Sequence, residues 1–276
     1  AVELDAQYNV SATVLRVEDY FERWSVESAR VREQLTGHLD VPYGTGDRES
    51  LDIFPADHPR APLVIFMHGG FWRRLGKEYF SFVAEPFVAS GATVAILNYP
   101  LAPAATLDAI VAATRRAIAW LHAHAAEFNG DPARIVATGH SAGGQLSAML
   151  ATTDWESYGL PLDAVRRIGP ISGVFELGPL RHTHINAWLH LNESLMARNS
   201  PIRLRPAVST QVVAAVGGAE TDEFRRQNRA FATEWSSQGS PTLVIEVPAR
   251  NHFDILLGLL EPNDVLRTAL LELVER

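Results

Sequence analysis

The 276-residue chain has no cysteine, which excludes structural disulfides, thiolate metal sites and a cysteine nucleophile together. No block of five like charges occurs, and 24 Lys and Arg stand against 32 Asp and Glu for a net charge of -8. Nucleic acid and anionic membrane surfaces are therefore poor partners. No apolar run approaches the length of a membrane span. Residues Ala1 to Val10 lack the basic start and apolar stretch of a secretory signal. A soluble cytoplasmic protein is expected.

What is present is an ordinary globular composition, 47% hydrophobic and 20% charged, with 19 Gly and 16 Pro. The length allows two domains, but α/β chains often use it for one. There is no internal repeat, low-complexity tract or linker, so one domain over residues 1–276 is expected. Short runs rich in β-branched or aromatic residues at Leu63 to Met67, Thr93 to Leu97, Arg134 to Thr138 and Gln211 to Val216 predict strands. Further strands are predicted at Ser50 to Phe54, Arg167 to Ile171 and Leu243 to Val247. Leu107, Val111, Ile118, Leu121 and Ala125 recur at helical spacing, with Thr114 as the polar member of the stripe. This helix stops at Asn129-Gly130-Asp131-Pro132, which reads as a turn. His122 and His124, two apart on it, read as solvated and not as a metal pair. A last helix is predicted over Asp254 to Arg276, broken near Glu261-Pro262-Asn263. Strands alternating with helices predict a mostly parallel sheet covered on both faces. Residues 1–40, a helical extension, and 174–205, an excursion between strands, fall outside the alternation and are expected to form a cap.

After the strand ending at Thr138 comes Gly139-His140-Ser141-Ala142-Gly143-Gly144, followed by a helical pattern. G-x-S-x-G between strand and helix is the context in which a serine is exposed on a sharp turn. The plainer reading is a Gly-rich turn with Ser141 capping the helix. A serine needs a base, and the base needs a third group to hold its tautomer. His252, on the loop after the last strand, is the candidate base. His182, His184 and His190 lie inside the excursion and read as cap surface. Glu220, Asp222 and Glu223 compete as the acid. Thr221 as N-cap would place Asp222 and Glu223 in the first helical turn, where acids favour the dipole; Glu220 has no such account and is favoured, with Asp222 the alternative.

His68-Gly69-Gly70-Phe71-Trp72 follows the strand Leu63 to Met67. Amides of Gly70 and Phe71, with that of Ala142, are expected to form an oxyanion hole, since glycines let backbone approach a substrate. His68 is expected to anchor the loop.

These motifs resemble the α/β-hydrolase superfamily, and within it the arylformamidase branch related to hormone-sensitive-lipase-like esterases. His68-Gly69-Gly70-Phe71-Trp72, Tyr43-Gly44-Thr45-Gly46, Asn98-Tyr99-Pro100, Arg198-Asn199-Ser200-Pro201 and Phe224-Arg225-Arg226-Gln227 carry the resemblance. The family's acid lies four residues before the match to Phe224, which is Glu220; it is commonly Asp there. The resemblance implies hydrolysis of an aryl formamide or a small acyl ester, with Ser141 as nucleophile, His252 as base and Glu220 as acid. Trp72, Trp188 and Phe253 are expected to line the substrate pocket. No cofactor or metal is expected, the partner is a small-molecule ester or formamide, and a homodimer is an option. The competing class is a non-catalytic binding protein that kept the fold.

Overall fold

A run such as Leu63-Val64-Ile65-Phe66 has no polar face to turn to water, so it must lie inside a sheet covered on both sides. In the computed structural model, which describes residues 2–275, that run is in β3 (Ala61–Met67), near the centre of an eight-stranded sheet. The other strands are β1 (His38–Pro42), β2 (Ser50–Phe54), β4 (Thr93–Leu97), β5 (Gly130–His140), β6 (Arg167–Ile171), β7 (Gln211–Gly217) and β8 (Thr242–Val247). Their order is β1-β2-β4-β3-β5-β6-β7-β8; β1 and β2 run antiparallel to their neighbours and the rest pair in parallel.

The α-helices are α1 (Val2–Tyr8), α2 (Val17–Gln34), α3 (Ala84–Ala89), α4 (Leu107–His124), α5 (Ala142–Ala151), α6 (Asn186–Leu189), α7 (Glu193–Asn199), α8 (Asp222–Ser237) and α9 (Val265–Glu275). The expected last helix divides at the foreseen break into a 3-10 segment, Asp254–Leu260, and α9; its last residue, Arg276, lies outside the described residues. On α4 the predicted stripe is buried, and Thr114 settles its hydroxyl on the carbonyl of Val111 at 2.8 Å. His122 and His124 are half-buried and not fully solvated; the His124 ring stacks on Trp120 at 4.2 Å.

Two boundaries differ from expectation. Residues 38–40, read as part of a helical extension, belong to β1, an edge strand exposed along most of its length; an edge with no buried face leaves no alternation to read. The turn expected at Gly130 to Pro132 is an irregularity inside β5. The register moves from Ala61 opposite Gly130 to Leu63 opposite Ile135, and Asp131 Oδ1 accepts the amide of Ala133 at 2.9 Å. Asn129, at φ 62°, ends the helical segment in the left-handed conformation that asparagine tolerates.

The sheet order sets the site. The carboxyl ends of β3, β5, β6, β7 and β8 are neighbours, with Met67 opposite Gly139 and Gly217 opposite Val247, so the loops that follow these strands meet at one rim. The N-terminal segment folds back over that rim: Trp24 of α2 is buried against Phe80 at 5.2 Å and Phe253 at 6.1 Å. Burying one such aromatic contributes about 1.5–3 kcal/mol. Among the described residues, no helix is long and apolar enough to cross a membrane.

Candidate active site

Ser141 stands between β5 and α5 at φ 57°, ψ -115°, a conformation that costs a non-glycine residue about 1–3 kcal/mol. The turn is tight enough to force its flanking residues. A Cβ on Gly143 would lie 1.9 Å from the carbonyl oxygen of Met67, and one on Gly139 would lie 2.4 Å from that of Gly143. Ser141 occupies the N-cap position, yet its hydroxyl makes no capping bond. Helix capping therefore leaves the strained serine unexplained. Its Oγ has no hydrogen-bond partner among the described residues.

His252, on the loop after β8, places Nδ1 at 2.6 Å from Glu220 Oε2, with both side chains buried. Glu220 lies on the loop after β7. Its Oε1 accepts the amide of Gly217 at 2.8 Å and the hydroxyl of Ser172, which follows β6. Three partners on one buried carboxylate fix its position. With Nδ1 donating to the carboxylate, the imidazole presents a lone pair at Nε2, and Nε2 has no protein partner among the described residues. Such a pair can take a proton from a hydroxyl in the same pocket, and Ser141 and His252 line one pocket.

The other acids are used elsewhere. Asp222 is exposed and paired with Arg225 at 2.5 Å. Glu223, expected to be explained by its first-turn position alone, also accepts the hydroxyl of Tyr8 at 2.8 Å and pairs with Arg226 at 2.7 Å. Thr221 is the N-cap of α8, but its hydroxyl donates to the carbonyl of Gln7 at 2.8 Å, and Gln7 Oε1 caps the helix by accepting the amide of Glu223 at 3.2 Å.

The loop after β3 runs through three consecutive left-handed residues, Gly70 (φ 105°), Phe71 (φ 49°) and Trp72 (φ 55°). A Cβ on Gly70 would lie 2.3 Å from the carbonyl oxygen of Arg74, so only glycine opens the turn. The amides of Gly70, Phe71 and Ala142 donate to no protein acceptor among the described residues. Amides left free in this way can stabilise an anionic oxygen. The loop is pinned from beneath. Trp72 Nε1 donates to Gln145 Oε1 at 3.1 Å, and its carbonyl accepts the amide of Ala102 at 2.7 Å. Gln145 in turn reaches the carbonyl of Asn199 at 2.9 Å. Trp72, expected in the pocket wall, is fully buried and acts as this strut: its indole N–H finds its acceptor inside the protein, and the ring does not line the pocket that holds Ser141 and His252. His68 anchors as expected. Its ring stacks between Tyr99 (4.3 Å) and Phe80 (5.9 Å), with Nδ1 2.7 Å from the carbonyl of Gly69. Burial pushes its pKa down to about 3, so it stays neutral.

Several contributors were not foreseen. His140, the variable residue of the elbow, directs Nε2 at the carbonyl of His252 at 2.8 Å; burial first, then the nearby His252, holds its pKa well below the ordinary value. Val10, Phe21 and Trp24 close the pocket over Ser141 together with Phe253. The spacing of Phe21, Trp24, Ser28 and Val31 was the one available signal, an amphipathic face without an indicated partner. The void against Ser141 measures only about 20 Å³. A second cavity of about 490 Å³ shares Val10, Gly70, Phe71 and Arg74 with it and adds Trp188. Trp188 Nε1 lies 3.3 Å from the carbonyl of Phe71. Thus Phe253 lines the inner void and Trp188 the outer cavity. His182, His184 and His190 are exposed on the excursion, as expected.

Comparison with known proteins agrees with this architecture. The BD-FAE family model matches residues 51–164. Kynurenine formamidase from Danio rerio is 31% identical over 252 residues, covering 89% of this chain and 84% of that one. The Salmo salar kynurenine formamidase is 33% identical over 245 residues, covering 86% and 81%. Among solved structures, a Silicibacter sp. protein superposes with a TM-score of 0.85 at 28% identity over 99% of both chains. The carboxylesterase EstE1 from a metagenomic library gives 0.72 at 19% over 94% of both, a likeness of fold alone. With this sheet order, this elbow and these relatives, the chain belongs to the kynurenine formamidase family of α/β-hydrolases.

Proposed function

We propose that the protein is a cofactor-free serine hydrolase that cleaves a small-acyl aryl formamide or ester through an acyl-enzyme. The observation that carries this reading is the buried 2.6 Å contact of His252 with Glu220 in the pocket that holds the strained, unpartnered Ser141. His252 Nε2 takes the proton of Ser141 as Oγ attacks the carbonyl carbon. The resulting imidazolium is stabilised by Glu220, and the oxyanion by the amides of Gly70, Phe71 and Ala142. His252 then gives the proton to the leaving nitrogen or oxygen as the C–N or C–O bond breaks. Water, deprotonated by the same imidazole, releases the acid and restores Ser141.

The size of the inner void selects the acyl group. The void beside Ser141, about 20 Å³ of space for the centres of water-sized groups, is small, which favours a short acyl group. A formyl or acetyl group asks less of this space than a butyryl chain does. The names of the fish relatives add support for the formamide.

A fluorophosphonate probe tests the class: the hydrolase reading expects one adduct, on Ser141, and an unlabelled folded protein would favour the non-catalytic binding reading. Rates on N-formylkynurenine and on aryl acetates and butyrates test the substrate. Formyl and acetyl compounds should be cleaved at least about tenfold faster than butyryl ones; faster butyrate cleavage would remove the size argument.

A further inference from the structure

Arg73 and Arg74 follow the oxyanion loop directly, and both side chains are exposed beside the 490 Å³ cavity. In a chain of net charge -8, most arginines near acids are paired: Arg30 with Glu85, Arg226 with Glu223 and Glu176, Arg250 with Asp264. Arg73 and Arg74 pair with no carboxylate among the described residues. Both rest on aromatic faces, and Arg74 Nη2 also donates to the hydroxyl of Ser11 at 3.4 Å. The Arg73 guanidinium lies 4.5 Å from the Trp188 ring centre, and that of Arg74 lies 5.5 Å from the Phe21 ring centre. Contact with a ring face orients a guanidinium without neutralising it, and leaves its N–H edge available.

No Asp or Glu lines the cavity. Asp5 and Glu223 touch residues that do, but Asp5 is occupied by the amide and Nδ1 of His184 at 2.6 and 2.7 Å, and Glu223 by Arg226. Partial burial, and then the adjacent Arg73, lower the pKa of Arg74; an anion placed between the two guanidiniums would relieve their repulsion. The cavity volume falls in the range of small-molecule sites, and the cavity shares Val10, Gly70, Phe71 and Arg74 with the inner void as lining.

Resting on the hydrolase reading above, we propose that this cavity receives the leaving group and that Arg73 and Arg74 bind a carboxylate on it. The substrate class becomes a small acyl group on an anionic aryl leaving group. The planar guanidinium fork matches a carboxylate in two parallel hydrogen bonds, and two such donors at the rim would also draw an anion toward a protein that otherwise repels it.

The test compares 3-acetoxybenzoate with its uncharged carboxamide, each corrected for its rate with hydroxide. The wild-type protein should favour the carboxylate by about tenfold or more in kcat/KM, the size of one charge-assisted contact. The preference should fall as salt rises from about 0.05 to about 0.5 M, because the rim is open to solvent. It should collapse toward unity in Arg73→Gln/Arg74→Gln and persist in Arg73→Lys/Arg74→Lys. A wild-type ratio near one, or a ratio unchanged by salt or by loss of both charges, overturns the proposal. Calorimetry of the wild-type protein with 3-hydroxybenzoate, the leaving group itself, and with its carboxamide separates this from the hydrolase reading. Tighter binding of the carboxylate upholds the subsite even if no substrate turns over; equal binding overturns it.

Discussion

Replacing Glu220 by Gln is the sharpest test of the proposed catalytic array, because the two oxygens of this carboxylate have different duties. Oε1 accepts from the Gly217 amide and the Ser172 hydroxyl, while Oε2 faces His252 Nδ1 at 2.6 Å. If the Gln oxygen keeps the first two donors, its NH2 meets Nδ1 and the imidazole must carry its proton on Nε2. Ser141 then faces a donor and has no base. If the amide flips, NH2 opposes the Gly217 N–H, and a buried donor is left without a partner. The first arrangement costs less in stability and more in rate. A wrong tautomer lowers kcat by about 10³–10⁴-fold in serine hydrolases, or about 4–5.5 kcal/mol in the barrier. KM should change little, since Glu220 is buried behind the imidazole. Asp222→Asn is the control: its side chain is 83% exposed in a pair with Arg225, and loss of such a pair is worth about 1 kcal/mol or less in stability. Initial rates on an aryl acetate, with melting curves to show that both variants fold, decide the matter. Near-normal turnover in Glu220→Gln with collapse in Asp222→Asn would refute the assignment.

Other outcomes follow from the same geometry. Gly143→Ala should prevent folding or greatly lower Tm, because its Cβ would sit 1.9 Å from the Met67 oxygen, whereas Gly159→Ala, at φ 73° with nothing within 4 Å, should cost only about 1–2 kcal/mol; equal melting points would contradict this. His140→Phe should leave the His252 carbonyl unsatisfied, costing about 1–3 kcal/mol by denaturant titration, and should lower kcat more than it changes KM; an unaltered kcat would remove His140 as a positioning residue. His68 and His140 are held neutral with depressed pKa values, so the unfolded chain binds more protons and stability falls as pH drops below about 6.5. Two such groups give up to about 2.7 kcal/mol per pH unit, and denaturation midpoints that stay level from pH 7 to 5 would be inconsistent with both being neutral. Phe21→Ala enlarges the inner void and should raise the butyrate-to-acetate rate ratio; no change would mean that Phe21 does not limit the acyl chain.

The parts of this protein written in local sequence were those whose physics is local. A strand with two buried faces must be apolar throughout, so β3, β4, β5 and β7 could be read as runs, and the sharp turn at Ser141 requires glycine two residues to either side. The chain order from His68 through Ser141 to His252, with Glu220 chosen because no capping role explained it, needs only the alternation of strand and helix. β1 could not be read, since an exposed edge imposes no pattern.

Tertiary structure decided what depends on which surfaces meet. Trp72 and Trp188 look alike as aromatic pocket candidates, but Gln145, distant in sequence, supplies the acceptor that turns Trp72 inward. Thr221 looks like a helix cap until Gln7 takes that role from the far end of the chain. Ser172 and His140 gain their work from partners 48 and 112 residues away. The sequence by itself determined the sheet except for its β1 edge, the elbow and the chemistry that a serine, a histidine and a carboxylate can perform. Only the folding of the N-terminal segment over the rim decided how small the void beside Ser141 is and that Arg73 and Arg74 face a cavity without a counter-charge, because both follow from contacts between segments with no local signal for each other.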